Sequence, residues 1–167
     1  MKKTLITVAL SVLLTLGTLS SGRAQAFDGY SDSKYIPALQ VFPRGSIGLS
    51  MTFQEGINDY LSWGMMASFD PLSSLENQNM DYSALLLFRL HSTNLWQISE
   101  RLDMHFSLGL GYIEVVPMLG VTYMLGEKIG FESVLVVPAY YNHPKKILTD
   151  ESAYRKPYLA FGIVING

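Results

Sequence analysis

Four polar residues could together perform acyl transfer if the fold brings them to one place. Asp70, Ser73 and Ser74 lie in one polar segment, and His143 lies in another polar segment further along the chain. A histidine can act as general base for a serine nucleophile, and a carboxylate can orient the imidazole. Polar loops also contain these residue types by chance. The interpretation therefore depends on the elements that position the two segments.

The composition limits the classes of protein and of site. The chain has 167 residues, 49% hydrophobic and 16% charged, with no cysteine and a formal net charge of −2, which favours one ordered domain. The absence of cysteine excludes disulfides and thiolate metal sites, and the net charge argues against nucleic acid as a partner. The histidines are isolated and the sequence has no glycine-rich phosphate loop, so we expect neither a metal nor a cofactor.

The beginning of the chain has the pattern of an export signal. Met1-Lys2-Lys3 is followed by an apolar run and then by Ala24-Gln25-Ala26, the Ala-x-Ala pattern that signal peptidases accept. A membrane anchor is the alternative, but an apolar run of roughly 15 residues is short for a spanning helix of roughly 20. We therefore predict that residues 1–26 are a cleaved signal peptide of bacterial type and that residues 27–167 are the mature domain.

Alternation with period two dominates the mature sequence. In residues 45–54, the apolar Ile47, Leu49 and Met51 alternate with glycine, serine and threonine, which is typical of a strand with one apolar face. Eight such segments can be placed, each near the roughly 9–11 residues that a tilted strand needs to cross a bilayer. They are residues 34–42, 45–54, 60–69, 81–90, 103–113, 115–125, 129–138 and 157–166.

The connections between these segments favour a barrel in the outer membrane. The two longest, residues 70–80 and 139–156, fall on the same side of an up-and-down barrel, and long outer loops with short inner turns are the outer-membrane pattern. A soluble lipocalin-type barrel would instead carry its apolar residues inside. The sequence therefore predicts an all-β, eight-stranded antiparallel up-and-down transmembrane β-barrel of the bacterial outer membrane. The four candidate catalytic residues then share the outer side.

The predicted interior contains large apolar residues as well as polar ones. An eight-stranded barrel has no open pore, so these residues either fill the interior or line a narrow apolar tunnel. Inward-facing glycines leave space that something must occupy, so both interpretations stay open. The inward apolar residues of strands 4, 6 and 7 are Leu85, Leu87, Val116, Met118, Met124, Val134 and Val136.

Short motifs along the chain resemble those of the outer-membrane lipid A palmitoyltransferases (PagP). The resemblance covers nearly all of the mature chain in order. It implies a barrel that transfers a palmitoyl chain from a phospholipid to lipid A, with an acyl pocket inside and these two lipids as its partners. The motifs are Tyr35-Ile36-Pro37-Ala38, Gly48-Leu49-Ser50, Met66-Ala67-Ser68-Phe69-Asp70, His91-Ser92-Thr93, His105-Phe106-Ser107-Leu108-Gly109-Leu110-Gly111-Tyr112 and Val137-Pro138-Ala139-Tyr140-Tyr141-Asn142.

The resemblance also implies lateral gates at prolines, through which lipid tails enter from the bilayer. A proline cannot donate a hydrogen bond to a strand ladder, so it marks a place where pairing is interrupted. By this resemblance, Pro37 flanks one gate at strands 1 and 2. Pro117 and Pro138 flank a second gate between strands 6 and 7.

Of the catalytic positions that the resemblance implies, one is matched. Asp70 stands where the family has its aspartate, whereas Phe42 stands at the histidine position and Pro71 at the serine position. Acyl transfer by this chain would therefore use Asp70 with Ser73 or Ser74 and with His143.

The acyl pocket implied by the resemblance has a charged residue, Arg89, near its floor. An unpaired buried charge costs several kcal/mol, whereas a buried methylene gains about 0.8 kcal/mol. We therefore expect no long saturated chain to reach Arg89, and we expect the inward-facing Glu132 to pair with it and to seal the periplasmic half. The apolar residues of this predicted pocket are Leu85, Leu87, Met118 and Val134.

Two other functions stay open. One is a non-catalytic small barrel with a structural or adhesive role. The other is a lipid A deacylase that uses His91-Ser92 with Asn94, although this spacing departs by one residue from the His-x-Ser-Asn of outer-membrane 3-O-deacylases and a polar turn explains the segment better. For each function we expect a monomer.

Overall fold

The computed structural model describes residues 25–30, 32–43, 45–70, 81–93, 99–111, 114–141 and 156–167. Each of the eight predicted segments coincides with a strand to within a few residues. The strands are β1 (Ser33–Val41), β2 (Ile47–Gly56), β3 (Leu61–Asp70), β4 (Asp81–His91), β5 (Leu102–Leu110), β6 (Glu114–Met124), β7 (Ile129–Val136), β8 (Tyr140–Tyr141) and β9 (Tyr158–Asn166).

These strands close into one antiparallel barrel. From β1 to β7, each strand pairs with the next along the chain. β7 also pairs with β9, and β9 pairs with β1, where Leu39 lies opposite Phe161. The two-residue β8 continues the course of β7 alongside β6. The nine elements therefore make up an eight-stranded barrel, and the predicted fold class is confirmed.

The two ends of the barrel differ. Lys34 at the start of β1 lies opposite Asn166 at the end of β9. We call this the terminus end, and it also carries the connections 57–60, 92–101 and 125–128. The opposite end, which we call the loop end, carries the connections 42–46, 71–80 and 142–157.

Side chains alternate between the two faces of the barrel wall. On the outside, Leu49 is 50% exposed and Phe161 is 49% exposed, whereas their neighbours Gly48 and Gly162 are buried. The predicted orientation of the apolar face is therefore confirmed. In the part of the chain that the structure describes, no helix is long and apolar enough to cross a membrane.

The connection between β1 and β2 is a tight turn. Gly45 has φ +82° and its N–H donates to Phe42 O at 2.9 Å. This left-handed conformation is accessible to glycine at no steric cost. The turn returns the chain into β2 next to β1.

Candidate functional site

A buried ion pair occupies the terminus half of the barrel. Arg89 Nη1 donates to Glu132 Oε2 at 2.7 Å, and the two side chains are 5% and 6% exposed. Arg89 also donates from Nε to Ser107 Oγ at 2.9 Å and from Nη1 to Gln54 Oε1 at 2.7 Å. Thr122 Oγ1 donates to Glu132 Oε2 at 3.1 Å. We call these five residues the Arg89 network, and the predicted pairing of Arg89 with Glu132 is confirmed.

Beside the Arg89 network, close contacts connect three further polar side chains. Ser62 Oγ lies 2.8 Å from His91 Nε2, and Asp103 Oδ2 lies 2.5 Å from His91 Nδ1. Each of the three residues is 1% exposed. We call Ser62, His91 and Asp103 the Ser62 cluster. It has the order of hydroxyl, imidazole and carboxylate that activates a serine nucleophile.

The Ser62 cluster was not predicted from the sequence. His91 was considered with Ser92 and Asn94 as a deacylase alternative, for which a polar turn was the better explanation, and neither Ser62 nor Asp103 was selected. A signal was nevertheless present, because all three residues occupy inward positions near the terminus ends of three consecutive strands, β3, β4 and β5. Antiparallel neighbours joined by turns at one end bring such positions together.

The first described residues cover the Ser62 cluster. The Phe27 ring stacks on the His91 imidazole, with ring centroids 3.6 Å apart and an interplanar angle of 4°. Lys34 Nζ donates to Asp32 Oδ2 at 2.6 Å and also to Ala26 O. Residues 25–30 and 32 therefore fold back over the terminus end. Of the predicted signal peptide, residues 1–24 lie outside the described residues, so its cleavage stays a prediction.

The loop half of the barrel interior holds an apolar cluster together with buried polar side chains such as Gln40, whose Nε2 donates to Ser68 Oγ at 3.0 Å. Its glycines do not border empty space, because a Cβ on Gly109 would lie 2.8 Å from Met118 Cε and 3.0 Å from Leu85 Cδ1. Likewise, a Cβ on Gly162 would lie 2.7 Å from Ile36 Cγ2. At these positions the protein's own side chains fill the space that the sequence left open. The buried apolar cluster consists of Phe42, Met66, Leu85, Leu87, Val116, Met118, Val134, Val136, Tyr158 and Ala160.

The residues predicted for an acyl pocket do lie together. Leu85, Leu87, Met118 and Val134 belong to the apolar cluster and are at most 5% exposed. Arg89 precedes His91 on β4 and lies further from the loop end than Leu87, as a pocket floor would. Their use by an acyl chain stays a prediction.

Pro37 lies at an interruption of the barrel wall. The β1–β2 ladder runs without a break through Pro37, which lies opposite Met51. The β1–β9 ladder has no bridge at Ile36 or Pro37, although it is present on both sides of them. A missing N–H accounts for the loss. The predicted gate at strands 1 and 2 is untested, but the break in pairing lies on the β9 side of β1.

The other two gate prolines lie at a second interruption. The β6–β7 ladder ends with Met118 opposite Val136, and further along Val115 pairs with Tyr140. If the register were unbroken, Val115 would pair with Ala139. The segment that contains Pro138 therefore has one extra residue. This is the geometry of a β-bulge. Pro117 and Pro138 therefore flank a discontinuity between β6 and the course of β7, where the resemblance implies a gate.

An apolar groove lies on the outer face beside Pro37. Its volume is about 610 Å³, which is within the range of roughly 300–1,000 Å³ that small-molecule sites have. The groove arises where the small outward side chains of Pro37 and Ala67 are surrounded by larger ones. The larger outward residues that line it are Leu39, Leu49, Met51, Phe69, Phe161 and Ile163.

Of the predicted catalytic residues, Asp70 is described, and it lies at the loop end. Asp70 is the last residue of β3 and pairs with Asp81, the first residue of β4. Ser73, Ser74 and His143 lie outside the described residues. Their assembly with Asp70 stays a prediction.

Comparisons with known proteins agree with the barrel fold. No protein-family model matches the chain, and no curated protein matches it significantly. A de novo designed transmembrane β-barrel superposes with a TM-score of 0.62 at 10% identity, covering 84% of this chain and 98% of the design. The N-terminal β-barrel domain of Pseudomonas aeruginosa OprF superposes with a TM-score of 0.60 at 9% identity, covering 84% of this chain and 100% of that domain. The chain therefore has the eight-stranded fold of an outer-membrane-type barrel.

Proposed function

We propose that this chain is a non-conducting, structural barrel of the bacterial outer membrane. The observation that carries the proposal is the filled interior. The Arg89 network occupies the terminus half, and the apolar cluster occupies the loop half. The belt of exposed apolar side chains, such as Leu119 at 61% exposure, supports insertion in a bilayer.

The energy of the Arg89 network argues against a water-filled path. A path along the axis would have to separate Arg89 from Glu132. Breaking a buried ion pair costs about 3–5 kcal/mol. Since each 1.4 kcal/mol is a factor of ten, an open state would then be populated below roughly 1%.

Conductance of the purified barrel tests whether it is closed. In planar bilayers we expect no current steps from the folded protein, compared with an empty bilayer and with a bilayer that contains an open porin. Steady conductance from correctly folded protein would refute the closed barrel.

A deletion strain tests the structural role. Loss of a structural barrel should raise the uptake of an apolar fluorescent dye across the outer membrane, with no change in the mass of lipid A. Dye uptake should return to normal with the wild-type gene and equally with Asp70→Ala. Unchanged uptake in the deletion strain would contradict a structural role.

A second function, the handling of lipid acyl chains at the loop half, is favoured by a specific observation. The groove beside Pro37 adjoins the interruption of the β1–β9 ladder, so an apolar surface for a lipid tail lies next to a break in the wall. Transfer of an acyl chain from phospholipid to lipid A would then use Asp70 with Ser73, Ser74 and His143. The lipids would enter at Pro37, or at Pro117 and Pro138.

Mass spectrometry of lipid A separates these functions. An acyl mass added to lipid A only when the protein is present indicates transfer, and a lost acyl mass indicates deacylation. Asp70→Ala should abolish transfer, whereas Asp59→Ala, in the turn at the opposite end, should leave it unchanged. Identical lipid A with and without the protein would refute both enzymatic functions.

A further inference from the structure

The Ser62 cluster has the geometry of a serine nucleophile with its base. Ser62 Oγ is 2.8 Å from His91 Nε2, on the side of the imidazole opposite to Asp103. In this arrangement the imidazole removes the hydroxyl proton while the carboxylate orients the ring. Neither the structural role nor acyl transfer at the loop end uses these residues.

Asp103 is held in place by several donors. Its Oδ1 accepts from Ser92 N at 3.0 Å, from Thr93 N at 3.1 Å and from Thr93 Oγ1 at 2.8 Å. Its Oδ2 faces His91 Nδ1 at 2.5 Å. The connection after β4 therefore fixes one carboxylate oxygen, and the other is aimed at the imidazole.

The Arg89 network determines which nitrogen of His91 is the base. Arg89 Nη1 donates to Gln54 Oε1, which turns the amide nitrogen of Gln54 towards His91 Nε2 at 3.2 Å. An amide nitrogen can only donate, so His91 Nε2 must accept. The ring proton therefore resides on Nδ1, facing Asp103, and the single Nε2 lone pair is shared between the Gln54 amide at 3.2 Å and the closer Ser62 hydroxyl at 2.8 Å. This is the tautomer that a general base requires.

Residues around Phe27 cover the cluster at the terminus end. The ladders of β2 with β3, β3 with β4 and β4 with β5 are continuous around Ser62 and His91, so the wall gives no lateral entry there. At the terminus end, the buried Phe27 ring covers one face of His91. Withdrawal of this ring opens the imidazole towards the terminus end.

The segment that carries Phe27 is held on both sides of the ring. After Phe27, Asp28 N donates to Asp32 Oδ2 at 3.2 Å, and Lys34 Nζ lies 5.2 Å from the Phe27 ring centroid. Ala26 N donates to Glu100 O at 2.6 Å, and Ala26 O accepts from Lys34. Cleavage after Ala26, as the sequence predicts, removes both contacts and makes Phe27 the first residue of the chain. Terminal segments with few hydrogen bonds open at low free energy.

We infer that Ser62, His91 and Asp103 form a nucleophilic serine site at the terminus end, which accepts a carboxylic ester when Phe27 withdraws. Ser62 Oγ attacks the carbonyl carbon, and its proton passes to His91 Nε2. The bond between the carbonyl carbon and the alkoxy oxygen then breaks, and the alcohol leaves with the proton from His91. Water, deprotonated by the same nitrogen, hydrolyses the acyl-serine and restores Ser62.

A fluorophosphonate probe tests the nucleophile directly. It reacts with activated serines, with the serine oxygen displacing fluoride from phosphorus. The folded full-length protein in detergent micelles is incubated with the probe, and the modified residue is located by peptide mass spectrometry. We expect labelling at Ser62, and a rate roughly tenfold higher in Phe27→Ala, which lacks the stacked ring.

Matched variants distinguish a catalytic arrangement from a structural one. Ser62→Ala should lose the label, whereas Ser68→Ala should keep it, because Ser68 is a buried serine that accepts from Gln40 instead. His91→Gln should slow labelling by roughly 100-fold or more, the contribution of a general base. Folding of each variant is checked by heat-modifiable migration in gels. Phe27→Leu is a second opening variant, which removes the aromatic ring but keeps an apolar side chain.

Two results would overturn the inference. The first is absence of label at Ser62 in folded wild-type protein and in the folded opening variants. The second is equal labelling of His91→Gln and wild type, since His91 would then not activate the serine. Turnover of p-nitrophenyl butyrate by Phe27→Ala, and not by Ser62→Ala, is the expected result for the ester substrate. Labelling without such turnover would overturn the ester hydrolysis step.

Discussion

The pairing of Arg89 with Glu132 can be tested by a double-mutant cycle. In Glu132→Met, the guanidinium, with its side chain 5% exposed, loses its counter-charge and keeps Gln54 and Ser107 as partners. Removing one partner of a buried pair costs about 3–5 kcal/mol of unfolding free energy. Arg89→Met should cost a similar amount. The double variant replaces both charges by apolar groups, and such replacements are often close to neutral.

We expect the double variant to be more stable than the sum of the single effects predicts, by at least about 3 kcal/mol. Unfolding in urea is followed by tryptophan fluorescence and by heat-modifiable gel migration, with the protein folded into phospholipid vesicles. Glu127→Met, at an exposed position in the turn 125–128, is the control and should change stability by less than about 0.5 kcal/mol. Single variants that each cost less than about 1 kcal/mol, or effects that simply add, would refute the argument that the pair is desolvated and coupled.

Two further predictions concern the packing of the wall. In Gly120→Ala the new Cβ would overlap the His105 imidazole, so we expect a loss of about 1–3 kcal/mol. Gly109→Ala, whose Cβ meets the flexible end of Met118, should cost less, and equal urea midpoints for the two would contradict the packing. Leu119→Arg places a charge on the outward face and should cost about 2–4 kcal/mol in vesicles. Glu127→Arg should be neutral there, and a neutral Leu119→Arg would disprove a lipid-facing position.

The strands and their faces could be predicted because one physical signal repeats along the chain. Each strand turns one face outward from the barrel, and large apolar residues such as Leu49 and Phe161 recur on that face at every second position. The ion pair followed from the same period, because Arg89 and Glu132 are opposite charges that both occupy inward positions, and an unpaired inward charge is costly. Burial and charge were sufficient for these predictions.

The positions at which strand pairing is interrupted could not be predicted from alternation alone, because period two does not contain this information. A proline removes pairing only on the side to which its N–H would point, and alternation does not reveal that side. The break at Pro37 therefore lies towards β9, whereas the resemblance placed the gate at strands 1 and 2. Predicting the Ser62 cluster requires the registers of three strands at once. Predicting the stacking of Phe27 on His91 requires the path of a segment outside the barrel strands.

The two proposed activities use residues at opposite ends of the barrel, so single variants can distinguish them. The Ser62 cluster lies at the terminus end, and Asp70 is the last residue of β3 at the loop end. The apolar cluster lies between them in the loop half of the interior. A charged or polar intermediate has no hydrogen-bonding route through such a cluster. The two sites should therefore act on different substrates from opposite ends of the barrel, so Ser62→Ala should leave lipid A unchanged and Asp70→Ala should leave fluorophosphonate labelling unchanged. If either variant removed both activities while remaining folded, the interior would have to connect the two ends, and the closed barrel proposed above would be wrong.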